Sequence, residues 1–263
     1  LVIEARAGND IFSITPLTEV GVTIDGGAQT TNDRVTVLGT TASDLLFVLP
    51  SASDAAIVTL DGRQPLNLTS TEALSFDGME DDDEIVVLGD PNDNHFLHLP
   101  GIASDTGRIN INDETDVVTL LGIDYRNLGD GIVGIDGVGG LNSLTVIGTT
   151  STDYFEFASS NPNEALLIHR DASATRPIIA TLSVNQYTID ATDGDDVIDI
   201  TGPILADGLN IDGGGSSGQD VLVLRSEAGT NDDMTVAVDP LYSSDQIVAM
   251  GSTSTTDISV YNV

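Results

Sequence analysis

Apolar and polar residues alternate along most of the chain in short stretches. The stretch Arg34–Leu38 reads RVTVL, for example, and Tyr187–Asp190 reads YTID. Alternation with a period of two gives a strand one apolar face and one solvated face. No window of about a dozen residues has the 3.6-residue apolar spacing of an amphipathic helix. The pattern therefore predicts β-strands of about five residues, separated by polar corners in which Gly, Asp and Asn tolerate positive φ.

One segment recurs with the same order of strands and corners. A strand ends in Asp-Gly, a polar turn closes on Asp or Asn, and a second strand leads through another turn to a third. Copies span residues 22–50, 74–100, 133–159 and 209–238, and a shorter copy spans 187–202. Weaker alternation between the copies predicts further strands at Ala56–Leu60, Leu66–Leu68, Arg108–Ile111, Val117–Leu121, Ala165–His169 and Ile178–Val184.

This repetition favours an all-β fold built as a β-solenoid, similar to a parallel β-helix, with Asp/Gly corners. Each coil has too little apolar area to fold alone, whereas a stack buries one continuous core and pairs strands in parallel between coils. We expect one continuous repeat domain over 1–263, with copies near 1–15 (partial), 22–73, 74–132, 133–186, 187–208 (short) and 209–263. The alternative is a row of tandem small β-sandwiches, which has the same strand spacing but antiparallel pairing.

Charge narrows the choice of partners. The chain has 42 acidic residues against eight basic ones, all arginine, and a formal net charge of −34. Such a surface repels nucleic acid and anionic lipid. No apolar run reaches the roughly 18 residues of a membrane-spanning helix, and the absence of cysteine excludes a disulfide framework. Because the chain starts at Leu1 inside a strand-like run, we expect a mature or excised piece of a longer secreted precursor.

The runs IDGGAQTTNDRVTVLGT, IDATDGDDVIDITG and IDGGGSSGQDVLVL resemble the Asp/Gly-rich repeats of large secreted bacterial surface and adhesin-like proteins. They are also loosely similar to the haemolysin-type (RTX) calcium-binding repeat, GGxGxDxUx. The resemblance covers nearly the whole chain and implies an extracellular, elongated, β-rich region. However, no two such nonapeptides follow in tandem, and Asn142-Ser143 replaces the closing carboxylate of the third copy. The RTX ion cage is therefore not carried over.

The acidic corners are candidate calcium sites, because Ca²⁺ takes six to eight oxygens from carboxylates, carbonyls and water. The candidate ligands are Asp81, Asp82, Asp83, Asp113, Asp116, Asp193, Asp195, Asp196, Asp220, Asp232 and Asp233. The other interpretation is a solvated corner in which Asp only forms the turn. We expect the aspartates that precede each turn to bond turn amides, as in an Asx-turn. They are Asp25, Asp77, Asp136, Asp190 and Asp212.

No catalytic pattern is present: GxSxG, HExxH and P-loop motifs do not occur. His95 and His98 are three residues apart in a predicted strand and so lie on opposite faces, and His169 stands apart. We expect all three to be surface strand residues. Some β-helices cleave acidic polysaccharides, but the scattered arginines and acidic surface disfavour this activity. The chain is therefore predicted not to be an enzyme and to need no organic cofactor.

The predicted function is structural. The repeat pattern is cut at both ends, which leaves unpaired strand edges, and Ile258–Tyr261 could continue into Leu1–Ile3 of a second copy. We expect head-to-tail self-association into an extracellular filament, sheath or surface layer. The rival hypothesis is an adhesin stalk or calcium-stiffened binding module. Surface glycans are a further candidate partner, and Asn67-Leu68-Thr69 is a single glycosylation sequon.

Overall fold

The computed structural model describes residues 1–28, 32–112, 118–161, 163–171, 175–201, 208–215, 219–225, 246–250 and 258–261. Within these ranges every regular element is a β-strand, which confirms the all-β prediction. The strands are β1 Val2–Glu4, β2 Ile11–Ile14, β3 Val22–Asp25, β4 Arg34–Leu38, β5 Leu45–Ala52, β6 Ala55–Leu60, β7 Leu66–Thr69, β8 Ala73–Asp77, β9 Glu84–Leu88, β10 His95–Pro100, β11 Gly107–Asn112, β12 Val118–Arg126, β13 Ile132–Asp136, β14 Ser143–Ile147, β15 Asp153–Asn161, β16 Glu164–Asp171, β17 Ile178–Leu182, β18 Gln186–Asp190, β19 Val197–Thr201, β20 Leu209–Asp212, β21 Val221–Arg225, β22 Gln246–Met250 and β23 Ile258–Tyr261.

The strands form two mixed sheets. The long sheet has 13 strands in the order β1-β3-β7-β6-β5-β9-β13-β17-β16-β15-β19-β21-β22. The short sheet has 10 strands in the order β2-β4-β8-β12-β11-β10-β14-β18-β20-β23. From β1 to β21 the chain crosses from one sheet to the other at each corner. The exceptions are three meanders, in each of which three successive strands lie in the same sheet.

Successive crossings pair in parallel and in register. β9 pairs with β13 and β13 with β17, so that Ile85, Val133 and Ile179 lie side by side in the long sheet. All three side chains are almost fully buried. Since the side-chain period is two, one register error would move every apolar side chain to the solvated face. The alternation read from the sequence is therefore what fixes the pairing.

The meanders are β5–β7 and β15–β17 in the long sheet and β10–β12 in the short sheet. Their middle strands β6, β11 and β16 run antiparallel to both neighbours. The segments between the repeat copies were predicted as strands, and each contains one, but we expected parallel pairing between coils. Short connections such as Ser53-Asp54 explain the difference, because two residues suffice to join antiparallel strands and cannot make a parallel crossover.

The two sheets enclose one apolar core. Phe157 of β15 and Tyr187 of β18 come from different sheets, and their ring centroids are 5.1 Å apart in an edge-to-face arrangement. Phe76, Phe96 and Phe155 are also fully buried. The buried apolar side chains of the two sheets form a single cluster. No helix in the described ranges has the length and apolar character needed to cross a membrane.

Candidate functional site: the acidic corners

A corner residue is defined here as the last residue before, or the first residue of, the strand that follows a corner. Corner residues bond to each other from one crossing to the next. Asp83 Oδ1 accepts the N–H of Asp44 at 2.8 Å, and Asp196 Oδ1 accepts the N–H of Asp153 at 2.7 Å. Asn142 Oδ1 accepts the N–H of Asn94 at 3.0 Å. Similar bonds join Asp33 to Asp10, Asp220 to Asp196 and Asn185 to Asn142.

Three of the accepting residues are buried despite their polarity: Asp83 is 1 %, Asn142 1 % and Asp196 0 % exposed. Short Asp and Asn side chains can bond nearby backbone, which is why they suit this position. The corner is tight as well. A Cβ added to Gly78 would collide with Asp83 Oδ2 and with the carbonyl oxygen of Asn127. The Asp-Gly pair of the repeat is thus needed for packing as well as for turning.

The aspartates that precede the turns behave as expected in four corners. Asp25, Asp136, Asp190 and Asp212 each accept, on Oδ1, the N–H of the residue two positions on, at 2.9–3.1 Å. The Asx-turn prediction is therefore confirmed at these positions.

Asp77 departs from this pattern. Its Oδ2 pairs with Arg126, with Nη2 at 2.7 Å, and its Oδ1 accepts a bond from Asn127 Nδ2 at 2.7 Å. An ion pair thus binds this carboxylate to the neighbouring strand β12 of the short sheet, because Arg126 lies beside Asp77 in register. The sequence pattern did not distinguish this corner from the others.

The first predicted calcium cluster is split by the fold. Asp81 and Asp82 are exposed, whereas Asp83 is buried. Asp82 Oδ1 accepts the N–H of Asp130 at 2.9 Å. The three consecutive carboxylates therefore point to different surroundings.

The second cluster is divided in the same way. Asp193 and Asp195 are exposed, and Asp196 is buried with Asp220 beside it. Asp195 Oδ1 accepts the N–H of Gln219 at 2.9 Å. Asp113, Asp116, Asp232 and Asp233 lie outside the described residues. In the part of the chain that the structure describes, no three acidic or histidine side chains form a group that could hold a metal ion. Calcium binding stays a prediction.

Burial changes the acidity of two corner carboxyls. It raises the pKa of Asp83 to about 6, and the neighbouring carboxylates Asp44, Asp81 and Asp82 act in the same direction. It raises the pKa of Asp196 to about 7, again with help from adjacent carboxylates. The N–H bonds on Oδ1 oppose both shifts. Desolvation outweighs them, because a buried charge without a counterion is costly.

The histidine prediction was wrong at two positions. His98 is 2 % and His169 1 % exposed. His98 Nε2 lies 2.7 Å from the Tyr125 hydroxyl, and His169 Nε2 lies 2.8 Å from Asp153 Oδ1. Burial lowers the pKa of His98 to about 3. Strand parity could have revealed this placement, because His98 shares the inward face with Phe96.

A buried arginine joins the two sheets near these histidines. Arg176 Nη2 donates to Asp171 Oδ2 at 2.7 Å, and Nη1 donates to the carbonyls of Gly101 and Ala103 at 3.1 and 3.2 Å. Asp171 ends a strand of the long sheet, and Gly101 follows one of the short sheet. The contact therefore holds the loops of two meanders together. In the sequence Arg176 is one of eight scattered arginines, and nothing in the pattern indicates that it is buried.

The chain matches no family model, and neither the curated proteins nor the solved structures that were compared with it give a match.

Proposed function

We propose that this protein is an extracellular, non-enzymatic structural protein. Its coils stack as a β-solenoid, and copies add head to tail to form a filament, sheath or surface layer. The resemblance of its repeats to those of secreted surface proteins supports the location. The observation that carries the assembly proposal is the exposed edge formed by β1 and β2, the first strands of the two sheets.

This edge is apolar. Leu1 is 63 %, Val2 61 % and Ile11 77 % exposed. Exposed apolar edge strands are templates for another strand, and soluble proteins usually protect them with charge or proline. The formal net charge of −34 makes whole copies repel one another, so an attractive contact has to come from a local surface such as this edge.

The backbone of β1 is oriented to accept a strand. The Leu1 carbonyl accepts the N–H of Thr23, and the N–H of Ala5 donates to the carbonyl of Asp25. Because neighbouring residues of a parallel strand bond to opposite sides, Val2 and Glu4 direct their N–H and C=O groups away from β3. No described strand lies on that side.

The proposed partner of this edge is the other end of the two sheets. β22 and β23 are the last strands of the long and short sheets. If β1 and β2 of a second copy followed them, the passage between long and short sheet would continue without a break. Such a contact joins different surfaces of the two copies and does not close, so it produces a fibre.

Proline substitution at the open edge tests the proposal. Val2→Pro removes an outward N–H and leaves the bonds from β1 to β3 intact. Ile11→Pro does the same at β2, where Asp10 bonds towards β4. Val2→Ala is the control, since it keeps the N–H. In sedimentation velocity at physiological salt, we expect the wild type and Val2→Ala to form large species and the proline variants to stay monomeric. A wild-type chain that remains monomeric at every concentration would overturn the proposal.

The second candidate is an adhesin stalk stiffened by calcium. The exposed carboxylates Asp81, Asp193 and Asp195 favour it, because exposed carboxylate oxygens are ligands that Ca²⁺ takes. This function predicts a stable monomer whose melting temperature rises on adding calcium. Comparing melting curves in calcium and in chelator, on the monomeric Val2→Pro variant, separates stiffening from assembly.

A further inference from the structure

We propose that the outer face of the long sheet is a docking surface for a second copy of this chain, which packs on it face to face about a twofold axis. The contact uses a sheet face and no strand edge, so it goes beyond head-to-tail addition and does not depend on it. The surface is called here the outer patch. It consists of the outward-facing residues of β6, β5, β9, β13, β17 and β16, which are neighbours in the long sheet.

The strands of the outer patch are apolar on both faces. β5 begins LLFVL, β9 reads EIVVL and β17 reads IIATL. Near-continuous apolar runs of this kind are typical of strands that are covered on both sides. In the described part of the chain only the inner side is covered, as the burial of Val87 and Ile179 shows. Five large side chains of the outer side are 39–51 % exposed: Phe47, Leu49, Ile57, Leu166 and Leu182.

The outer face of the short sheet has a different character. Its outward positions are mostly polar: Ser75 lies beside Asp124, and Thr188 lies between Thr145 and Asn210. The two sheets are built from the same repeat, so an apolar outer face is not a general property of the repeat. It belongs to the long sheet.

The charged residues of the outer patch lie at its margins. Glu84 begins β9, Asp136 ends β13 and Glu164 begins β16. Arg170, near the end of β16, pairs with Glu156 of the next strand, β15, at 3.4 Å. An apolar surface with a polar rim marks a site of interaction on a protein.

The outer patch is large enough for a specific contact. Strands about 4.8 Å apart and outward residues about 6.7 Å apart along each strand give a face about 29 Å wide and about 20 Å long. Two such faces together bury about 1,200 Å², which exceeds the roughly 1,000 Å² of a specific protein interface.

The sizes of the side chains favour a second copy as the partner. Five residues lie side by side in one row across the patch: Phe47, Val86, Gly134, Ala180 and Leu166. A twofold axis parallel to the strands, between β9 and β13, places Val86 opposite Gly134 of the second copy. The same axis places Phe47 opposite Ala180 of the second copy. Large residues then face small ones, as close packing of two sheets and a contact between identical surfaces require.

The charge of the chain sets the conditions for this contact. A net charge of −34 repels a second copy at long range. Salt shortens the range of this repulsion from about 8 Å at physiological ionic strength to about 3 Å at 1 M. An apolar contact between acidic copies therefore strengthens with salt, whereas a partner held by basic groups would be released.

Sedimentation velocity of Val2→Pro/Ile11→Pro tests the proposal, because this variant lacks the strand-edge contact. We expect it to be monomeric at physiological salt and to form dimers at about 1 M salt. The result does not depend on whether the wild type forms fibres, so the two proposals fail separately.

Charge variants in this background locate the contact. Ala180→Arg should weaken dimer formation by about 100-fold or more, because it buries an unpaired charge on each copy. Phe47→Arg, at a more exposed position, tests the same contact independently. Thr188→Arg is the matched control, since it introduces the same charge in the middle of the outer face of the short sheet, and it should leave the dimer unchanged. Melting curves establish that each variant is folded.

A size exchange tests the twofold arrangement. Ala180→Phe places two large side chains opposite each other and should also weaken the dimer. Phe47→Ala/Ala180→Phe exchanges the large and the small residue and should restore much of the affinity.

The proposal is overturned if Val2→Pro/Ile11→Pro stays monomeric at every salt concentration up to about 1 M. Equal weakening by Thr188→Arg and Ala180→Arg also overturns it, as does a double size variant that pairs no better than Ala180→Phe. Binding to neutral phosphatidylcholine vesicles, without dimers and lost in Ala180→Arg, would identify lipid as the occupant instead.

Discussion

Asn142→Ala is the substitution whose cost can be worked out most directly. The amide is 1 % exposed and bonds to Asn94 on one side of its own corner and to Ser183 on the other. Its Oδ1 accepts from Asn94 N and Asn94 Nδ2, and its two amide hydrogens are shared among three carbonyls. Alanine removes all of these bonds and leaves buried backbone groups without partners.

The size of the loss in stability can be worked out from the number of hydrogen bonds that Asn142 makes. Four hydrogens take part, and a typical hydrogen bond contributes about 1 kcal/mol net. One of the four, Asn94 Nδ2, keeps its bonds to the carbonyls of Asp90 and Asn92, so it loses little. We therefore expect the free energy of unfolding to fall by about 3 kcal/mol.

Hydrogen exchange is the appropriate assay, because repeat arrays can unfold in parts and a single transition then underestimates a local loss. The Asn94 amide should lose protection, and so should the first amides of β14. Asn92→Ala is the matched control. Asn92 is exposed and its side chain bonds to nearby Asp90, so its cost should stay below ~1 kcal/mol.

The prediction is contradicted if Asn142→Ala lowers the free energy of unfolding by no more than Asn92→Ala does. An equal increase of exchange in strands far from the corner would also contradict the prediction, because the loss would then not arise from the bonds that Asn142 makes to the neighbouring corners.

Further predictions concern the core and the junction between sheets. Phe96→Ala should lower the free energy of unfolding in denaturant by about 3–5 kcal/mol, since the ring is fully buried. Phe47 lies on the outer face and is 39 % exposed, so Phe47→Ala should cost clearly less. Equal costs would contradict the assignment of inner and outer faces. Arg176→Leu should cost about 3–5 kcal/mol because it removes the buried guanidinium that pairs with Asp171. Arg176→Leu/Asp171→Leu should recover part of that loss, and a double variant less stable than the single one would disprove the pairing.

Much of the fold was accessible from the sequence, because alternation and turn chemistry act locally. Val35 and Val37 lie inward as their parity predicts, and Asp25 and Asp136 form the expected turns. Strand direction was not accessible. Alternation is the same in parallel and antiparallel strands, so β6, β11 and β16 could be predicted as strands but not as the middle of meanders.

The candidate site was predicted less well, for a physical reason. Asp81, Asp82 and Asp83 are equivalent as acidic residues in the sequence, yet only the last is buried. Its surroundings come from Asp44 and Asn127, which are distant along the chain. Burial of His98 and His169 was missed because charge type was given more weight than strand parity.

Electron microscopy of the purified chain at physiological salt tests head-to-tail assembly most directly. The account predicts unbranched fibres with an axial repeat of about 50–60 Å, because the described strands of the two sheets number 10 and 13 and are spaced about 4.8 Å apart. Val2→Ala should form the same fibres, and Val2→Pro/Ile11→Pro should form none. Dispersed monomers of the wild type at high concentration, with and without calcium, would contradict the account.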